Sequence, residues 1–266
     1  FSTIKNAGFD HVRIPCWWGG GDIDFTELDK TVNYATEEGL AVVLDLHGFG
    51  DTLAADFDGN KQKVYNFWDA VAKRYRNYSG NVFFEIINEP NSKSGSDPMN
   101  AADLNELQNE AIKVIRKYNG NRPIIVSVFG WNSPSNANSF SIDYTYNITV
   151  DFHTYDPMNF THQNAFWDPT YADTGYVSCD DNVINTIYAT FEVMDAFSKA
   201  NPDLGIWIGE FGVNVDFALA EDVEAYFSAY MEACEAYGFN WCLWEFGNSF
   251  GAYNLSTRQW KSKVID

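Results

Sequence analysis

The sequence predicts an α/β protein, a (β/α)8 TIM barrel, on three observations. Short apolar runs alternate with amphipathic stretches along the chain, the pattern of a parallel sheet with crossover helices. Residues able to do chemistry stand at the C-terminal ends of many of these runs, as a closed barrel requires and a single switch point does not. No glycine-rich phosphate loop follows any run, which weakens a nucleotide-binding open sheet.

Seven strands are expected in order: His11–Cys16, Ala41–His47, Val82–Glu89, Pro123–Gly130, Ile148–Tyr155, Ile206–Gly212 and Asn240–Gly247. They are rich in β-branched and aromatic residues, as buried parallel strands are. Helices are expected near 26–38, 62–77, 101–118, 182–200 and 219–237. Leu104, Leu107, Ala111, Ile112 and Ile115 make one helix face, and Tyr226, Tyr230, Ala233 and Tyr237 make another. Ile4 to Phe9 reads as the end of a helix. We therefore expect the first strand and part of the first helix of a full barrel to be absent ahead of Phe1. The gap would leave two strand edges to be covered, for instance by a second chain. Gln259 to Asp266 is short for an eighth helix. No linker divides the chain, so residues 1–266 read as one N-terminally trimmed catalytic domain.

The net charge of −20 argues against nucleic acid and anionic membrane as partners, since both select basic surfaces. It does not repel a neutral polymer. Aromatic residues make up 17% of the chain. Many belong in the core, but Trp and Tyr also stack on sugar rings, so the composition leans toward carbohydrate. No apolar run approaches the ~20 residues of a membrane helix. Cys16, Cys179, Cys234 and Cys242 form no CxxC pair and no zinc spacing with histidine. Cys16, Cys234 and Cys242 read as buried thiols.

Asn88-Glu89-Pro90-Asn91 and Gly209-Glu210-Phe211-Gly212 each put a glutamate at the end of an apolar run. Two carboxylates at barrel strand ends suit glycosidic bond cleavage. Either one alone could be an acid at a helix N-terminus. Asp45, Glu85 and Asp151 lie on strands and read as buried structural carboxylates, and Glu245 as pointing away from Trp244. Arg13 in an apolar strand needs a carboxylate partner. Gly247-Asn248-Ser249-Phe250-Gly251 matches GxSxG, but no histidine follows it, so the serine-hydrolase order fails. It reads as a loop. Asp56-Phe57-Asp58-Gly59-Asn60 lacks the pattern of a calcium loop and reads as a turn.

From Asn6 to Trp260 the chain resembles glycoside hydrolase family 5, the cellulase A family. The family's catalytic subsite carries an arginine, a histidine, an Asn-Glu pair, a histidine two before a tyrosine, a second glutamate and a tryptophan. Here these are Arg13, His47, Asn88, Glu89, His153, Tyr155, Glu210 and Trp244, in order at expected strand ends. The resemblance implies a retaining endo-β-1,4-glucanase. Glu210 would be the nucleophile, with Arg13 beside it, and Glu89 the acid/base, which must begin protonated. Phe160-Thr161-His162-Gln163-Asn164-Ala165-Phe166-Trp167 is similar to the loop after strand 6 in members that cut β-1,4-glucan and in some that cut β-mannan, with Asn164 in place of a glycine. His162, Trp167 and Trp17 join the substrate-binding set on this basis. Trp18 and Trp131 are further stacking candidates.

Mannanase, xyloglucanase and mixed-linkage glucanase are near alternatives. A non-catalytic carbohydrate-binding barrel is the alternative from another class; an aldolase would need a strand-end lysine. The resemblance implies no metal or organic cofactor. A polysaccharide is the expected partner, to a monomer unless another chain fills the first-strand gap. Secretion is inferred from a polymer that cells cannot import.

Overall fold

The computed structural model describes residues 1–261. The chain divides into two compact units, one of Phe1–Phe152 with Asn201–Gly205 and one of His153–Ala200 with Ile206–Asp266.

The first unit opens with α1 (Ser2–Asn6), β1 (His11–Trp17), α2 (Phe25–Glu37) and β2 (Ala41–His47), and continues with α3 (Gly50–Ala55) and α4 (Phe57–Arg74). It ends with β3 (Val82–Glu85), α5 (Ala101–Arg116), β4 (Ile124–Ser127), a 3-10 turn at Pro134–Ser139 and most of β5 (Ile148–His153). Each strand is parallel to the next, with Arg13 opposite Val43, Asp45 opposite Glu85 and Ser127 opposite Asp151. In β2 every residue from Val42 onward is buried, as both faces of such a strand must be.

Helix starts follow local chemistry. The Asp24 side chain accepts from Thr26 N at 2.9 Å to cap α2. Asn100 and Asp103 form a reciprocal capping box on α5. The expected face of α5 is buried as read. The segment Asp56–Asn60 is not the turn expected. Asp56 accepts from Gly59 N at 3.2 Å and caps α4, which starts at Phe57 and runs through those residues. α3 escaped sequence reading because its six residues carry no periodic signal.

Arg122, just before β4, is 1% exposed. Its guanidinium donates to the carbonyls of Ser79, Val82, Tyr75 and Tyr78 at 2.5–2.9 Å. It thereby ties the C-terminal turn of α4 to the start of β3, and burial pushes its pKa down to about 10.

The second unit contains α6 (Met158–Thr161), α7 (Asp181–Ala200), β6 (Gly205–Phe211, its first residue grouped with the other unit), α8 (Ala220–Tyr237) and β7 (Asn240–Leu243). An antiparallel pair, β8 (Tyr253–Asn254) with β9 (Gln259–Trp260), stands where a short eighth helix was considered, whose last five residues lie outside the described part. β6 and β7 are parallel, with a register shift between Ile208 and Phe211. Gly238 ends α8 in the left-handed region at φ 69°. Tyr226 and Tyr230 on α8 are buried, and Tyr230 stacks on Phe211 at 3.9 Å.

Four expected strands are longer than the real ones. β3 ends at Glu85, β4 at Ser127, β5 at His153 and β7 at Leu243. Beyond these points the chain leaves the ladder, and Glu89, Trp131 and Asn132 take positive φ of 44°, 59° and 56°. None of the four cysteines forms a disulfide; Cys234 is buried, the other three half-buried.

Candidate active site

In the first unit, strand register gathers a buried polar group. Asp45 and His47 lie two apart on β2 and so share a face. Asp45 is opposite Glu85, and both are fully buried. Arg13 forks onto Glu85, with Nε donating to Oε2 at 2.7 Å and Nη2 to Oε1 at 2.6 Å. The same Nη2 reaches Asp45 at 3.0 Å and donates to Asn88 Oδ1 at 2.7 Å. His47 Nδ1 is 2.6 Å from Asp45, and its Nε2 is 3.4 Å from the Asn88 amide. Asp45 therefore bridges Arg13 and His47, Asn88 contacts both of them directly, and the bidentate partner of Arg13 is Glu85.

The Glu85 carboxyl is raised to about 8, by burial first, with Arg13 pulling against the rise and Asp45 and Asp151 adding to it. Asp151 is also fully buried and accepts from Asn132 Nδ2 at 2.5 Å. The structural reading of all three carboxylates matches their burial.

Glu89 follows Asn88 directly and is half-buried. Its left-handed φ is uncommon for a residue with a side chain, and such strain gathers at functional sites. Trp17 is 74% exposed and packs its ring on His47 at 4.5 Å. Trp131 is also exposed, while Trp18 is tilted against Phe49 and Phe67 and is a packing residue.

In the second unit, Glu210 sits near the end of β6 and is 5% exposed. Tyr155 Oη donates to Glu210 Oε2 at 2.9 Å, and His153 Nδ1 lies 3.6 Å from the same oxygen. The amide of Thr154 donates to the Glu210 carbonyl at 3.0 Å, fixing the backbone between the two partners. Trp244 follows β7, half-buried, and its amide donates to Phe211 O at 2.9 Å. His162 stands edge-on to Tyr155 at 5.1 Å, and Trp167 is 45% exposed.

Two residues of this unit were not singled out as part of the site by sequence reasoning. Phe250 is 4% exposed and touches the rings of Tyr155, His162 and Trp167 at 5.8, 5.1 and 5.8 Å. It lies within the GxSxG-like segment, where nothing local marks it. Glu245 was expected to face away. Its carboxyl is held by Asn248 Nδ2 at 3.1 Å and pushed up by burial first, with the charge of Glu210 adding to the rise.

Strand-end carboxylates held by arginine, histidine and tyrosine define a class, the α/β enzymes that work at the C-terminal ends of parallel strands. The family model for cellulase, glycosyl hydrolase family 5, matches residues 1–250. The chain belongs to that family and is a glycosidase.

Endoglucanase H of Acetivibrio thermocellus is 26% identical over the whole of this chain, which spans only 29% of that protein's length. Cellodextrinase A of Ruminococcus flavefaciens is 27% identical, covering 88% of this chain and 74% of its own. Among solved structures, the cellulose synthase subunit Z of Clostridioides difficile superposes with a TM-score of 0.91 at 32% identity, over 98% of this chain and 88% of its own. The Thermotoga maritima endoglucanase Cel5A in complex with mannotriose gives 0.90 at 29% identity, over 99% and 87%. The fold is the (β/α)8 barrel of these family 5 structures, with seven parallel strands among the described residues. Among those residues no helix is long and apolar enough to cross a membrane.

Proposed function

We propose that the protein is a retaining, endo-acting hydrolase of β-1,4-glucan working by double displacement. The observation that carries this is the Glu210 carboxylate, held by Tyr155 and His153 at the end of a strand in a cellulase-family chain. Glu210 attacks the anomeric carbon and forms a glycosyl-enzyme. Glu89 protonates the leaving oxygen and then deprotonates the incoming water. This chemistry requires the two carboxyl groups roughly 5–5.5 Å apart. Tyr155 stabilises the ionised nucleophile by its hydrogen bond. Asn88, oriented by Arg13, binds the sugar 2-hydroxyl, where a contact strengthens in the oxocarbenium-like transition state. His47, Trp244, His162, Trp167 and Trp17 bind sugar rings and hydroxyls along the chain of the substrate.

A polymer that cells cannot import puts the enzyme outside the cell in this reading, as a monomer unless another chain fills the first-strand gap. A β-mannan is the second reading, favoured by the mannotriose bound to the Thermotoga relative.

The test is hydrolysis of carboxymethyl-cellulose, galactomannan, xyloglucan and barley β-glucan by wild type, Glu89→Ala and Glu210→Ala. Turnover of a glucan that disappears in both variants is expected. Polymer binding without turnover by the folded wild type would replace the enzyme with a carbohydrate-binding barrel.

A further inference from the structure

Between α6 and α7 runs an irregular segment, residues 162–180, that carries both His162 and Trp167. Loops of this length without regular structure are uncommon unless they serve a function. This one is pinned at both ends by buried side chains of the second unit, none of which belongs to the site described above.

Gln163 is fully buried. Its side-chain amide pairs with the backbone of Val177 in both senses: Nε2 donates to Val177 O at 3.1 Å and Oε1 accepts from Val177 N at 3.2 Å. The same Nε2 donates to Phe160 O at 3.0 Å. One side chain thus closes the fourteen-residue excursion. The start of the loop is anchored to the chain just past Glu210. Asn214, 1% exposed, donates its side-chain amide to Gln163 O at 3.0 Å and its backbone amide to Thr161 O at 2.8 Å. Thr161 Oγ1 in turn donates to Tyr155 O at 2.5 Å. The far end is held by Asp222, in the first turn of α8, which accepts from Tyr176 Oη and from Cys179 N, both at 2.8 Å.

Between these anchors the loop exposes Phe166 and Trp167 as an edge-to-face pair at 5.0 Å. Phe166 is 79% exposed, and Trp167 has one buried ring neighbour among the described residues, Phe250 at 5.8 Å, so the path of the loop decides where both rings stand.

We propose that Gln163 and Asp222 are positioning residues that hold this loop preformed, so that Trp167 and His162 meet an extended β-linked polysaccharide without a prior ordering step. The proposal rests on the glycosidase reading above. Preorganisation of this kind acts on affinity, because the entropy of ordering the loop has already been spent before binding. It leaves the bond-breaking step at Glu210 alone.

Tyr176→Phe and Asp222→Asn, in the full chain, test it. Steady-state kinetics are measured on barley β-glucan and on a short chromogenic cellobioside that is too short to span the loop. We expect KM on the polymer to rise about three- to tenfold, the worth of one hydrogen bond. We expect kcat on both substrates to stay at wild-type values, with a small fall in the thermal midpoint from the weakened hydrogen bonds. Unchanged polymer KM in both variants, or a kcat loss on both substrates with KM unmoved, would overturn the proposal.

If the wild type turns over neither substrate, the β-glucan reading fails instead. The positioning claim is then decided by amide hydrogen exchange at Val177. Protection in wild type that is lost in Gln163→Ala, with α7 and α8 still protected, supports it; equal protection in both refutes it.

Discussion

Replacing Arg13 by methionine removes the one guanidinium that holds two fully buried carboxylates, Glu85 and Asp45. Breaking a buried pair from one side costs about 3–5 kcal/mol, because the remaining charge is left without its partner. Here the cost depends on pH. The Glu85 carboxyl is raised from 4.5 to about 8 in the folded state. A group so raised favours folding while protonated. Its contribution is whole below pH 4.5 and is lost as pH climbs through about 8. Without Arg13 that lowering influence goes, and the carboxyl moves higher still. Asp45 and Asp151, which face it, push the same way. Arg13→Met should therefore lose the full amount near about pH 9 and clearly less near about pH 5.5, where Glu85 is protonated. Urea unfolding at the two pH values measures this. The Arg13→Met, Glu85→Leu double variant should recover part of the loss, since no carboxylate remains at position 85. Equal losses at both pH values, or a double variant no better than the sum of the singles, would refute the reasoning.

Three further outcomes are expected. Tyr155→Phe removes a hydrogen bond to the Glu210 carboxylate worth about 1.5–3 kcal/mol, so kcat/KM on β-glucan should fall about 10- to 100-fold with circular dichroism unchanged. Arg122→Met removes four hydrogen bonds to carbonyls, those to Tyr75 and Val82 fully buried, and should destabilise by about 1–3 kcal/mol in chemical unfolding; Arg122→Lys, with fewer donors in no fork, should recover only part. Tyr230→Phe leaves the buried Thr154 hydroxyl without its Tyr230 partner and should cost about 1–3 kcal/mol by thermal unfolding, with a smaller loss of activity through the Thr154 to Glu210 backbone bond.

The strand–helix order was legible because each signal is local. A run such as Ala41–His47 is apolar on both faces, and the Leu104 to Ile115 face repeats at helical spacing. Strand ends were less legible. Glu89 and Asn132 belong to no repeating pattern, and their positive φ is imposed by bonds such as those from Gly130 N and Trp131 N to Pro90 O. The turn expected at Asp56–Asn60 failed because Asp-x-x-Gly serves equally as a turn and as a helix cap, and Asp56 caps α4.

The sequence by itself determined the alternation of elements, the buried face of α5 and the residue types at strand ends. These rest on periodicity and on contacts a few residues long. Only the tertiary structure decided that Arg13 forks onto Glu85, that Phe250 touches three site rings, and that Gln163 clasps Val177. Each of these joins positions with no sequence pattern linking them. Their partners are selected by strand register and by the requirement that a buried polar group find a hydrogen bond, and both are settled only when the chain has folded.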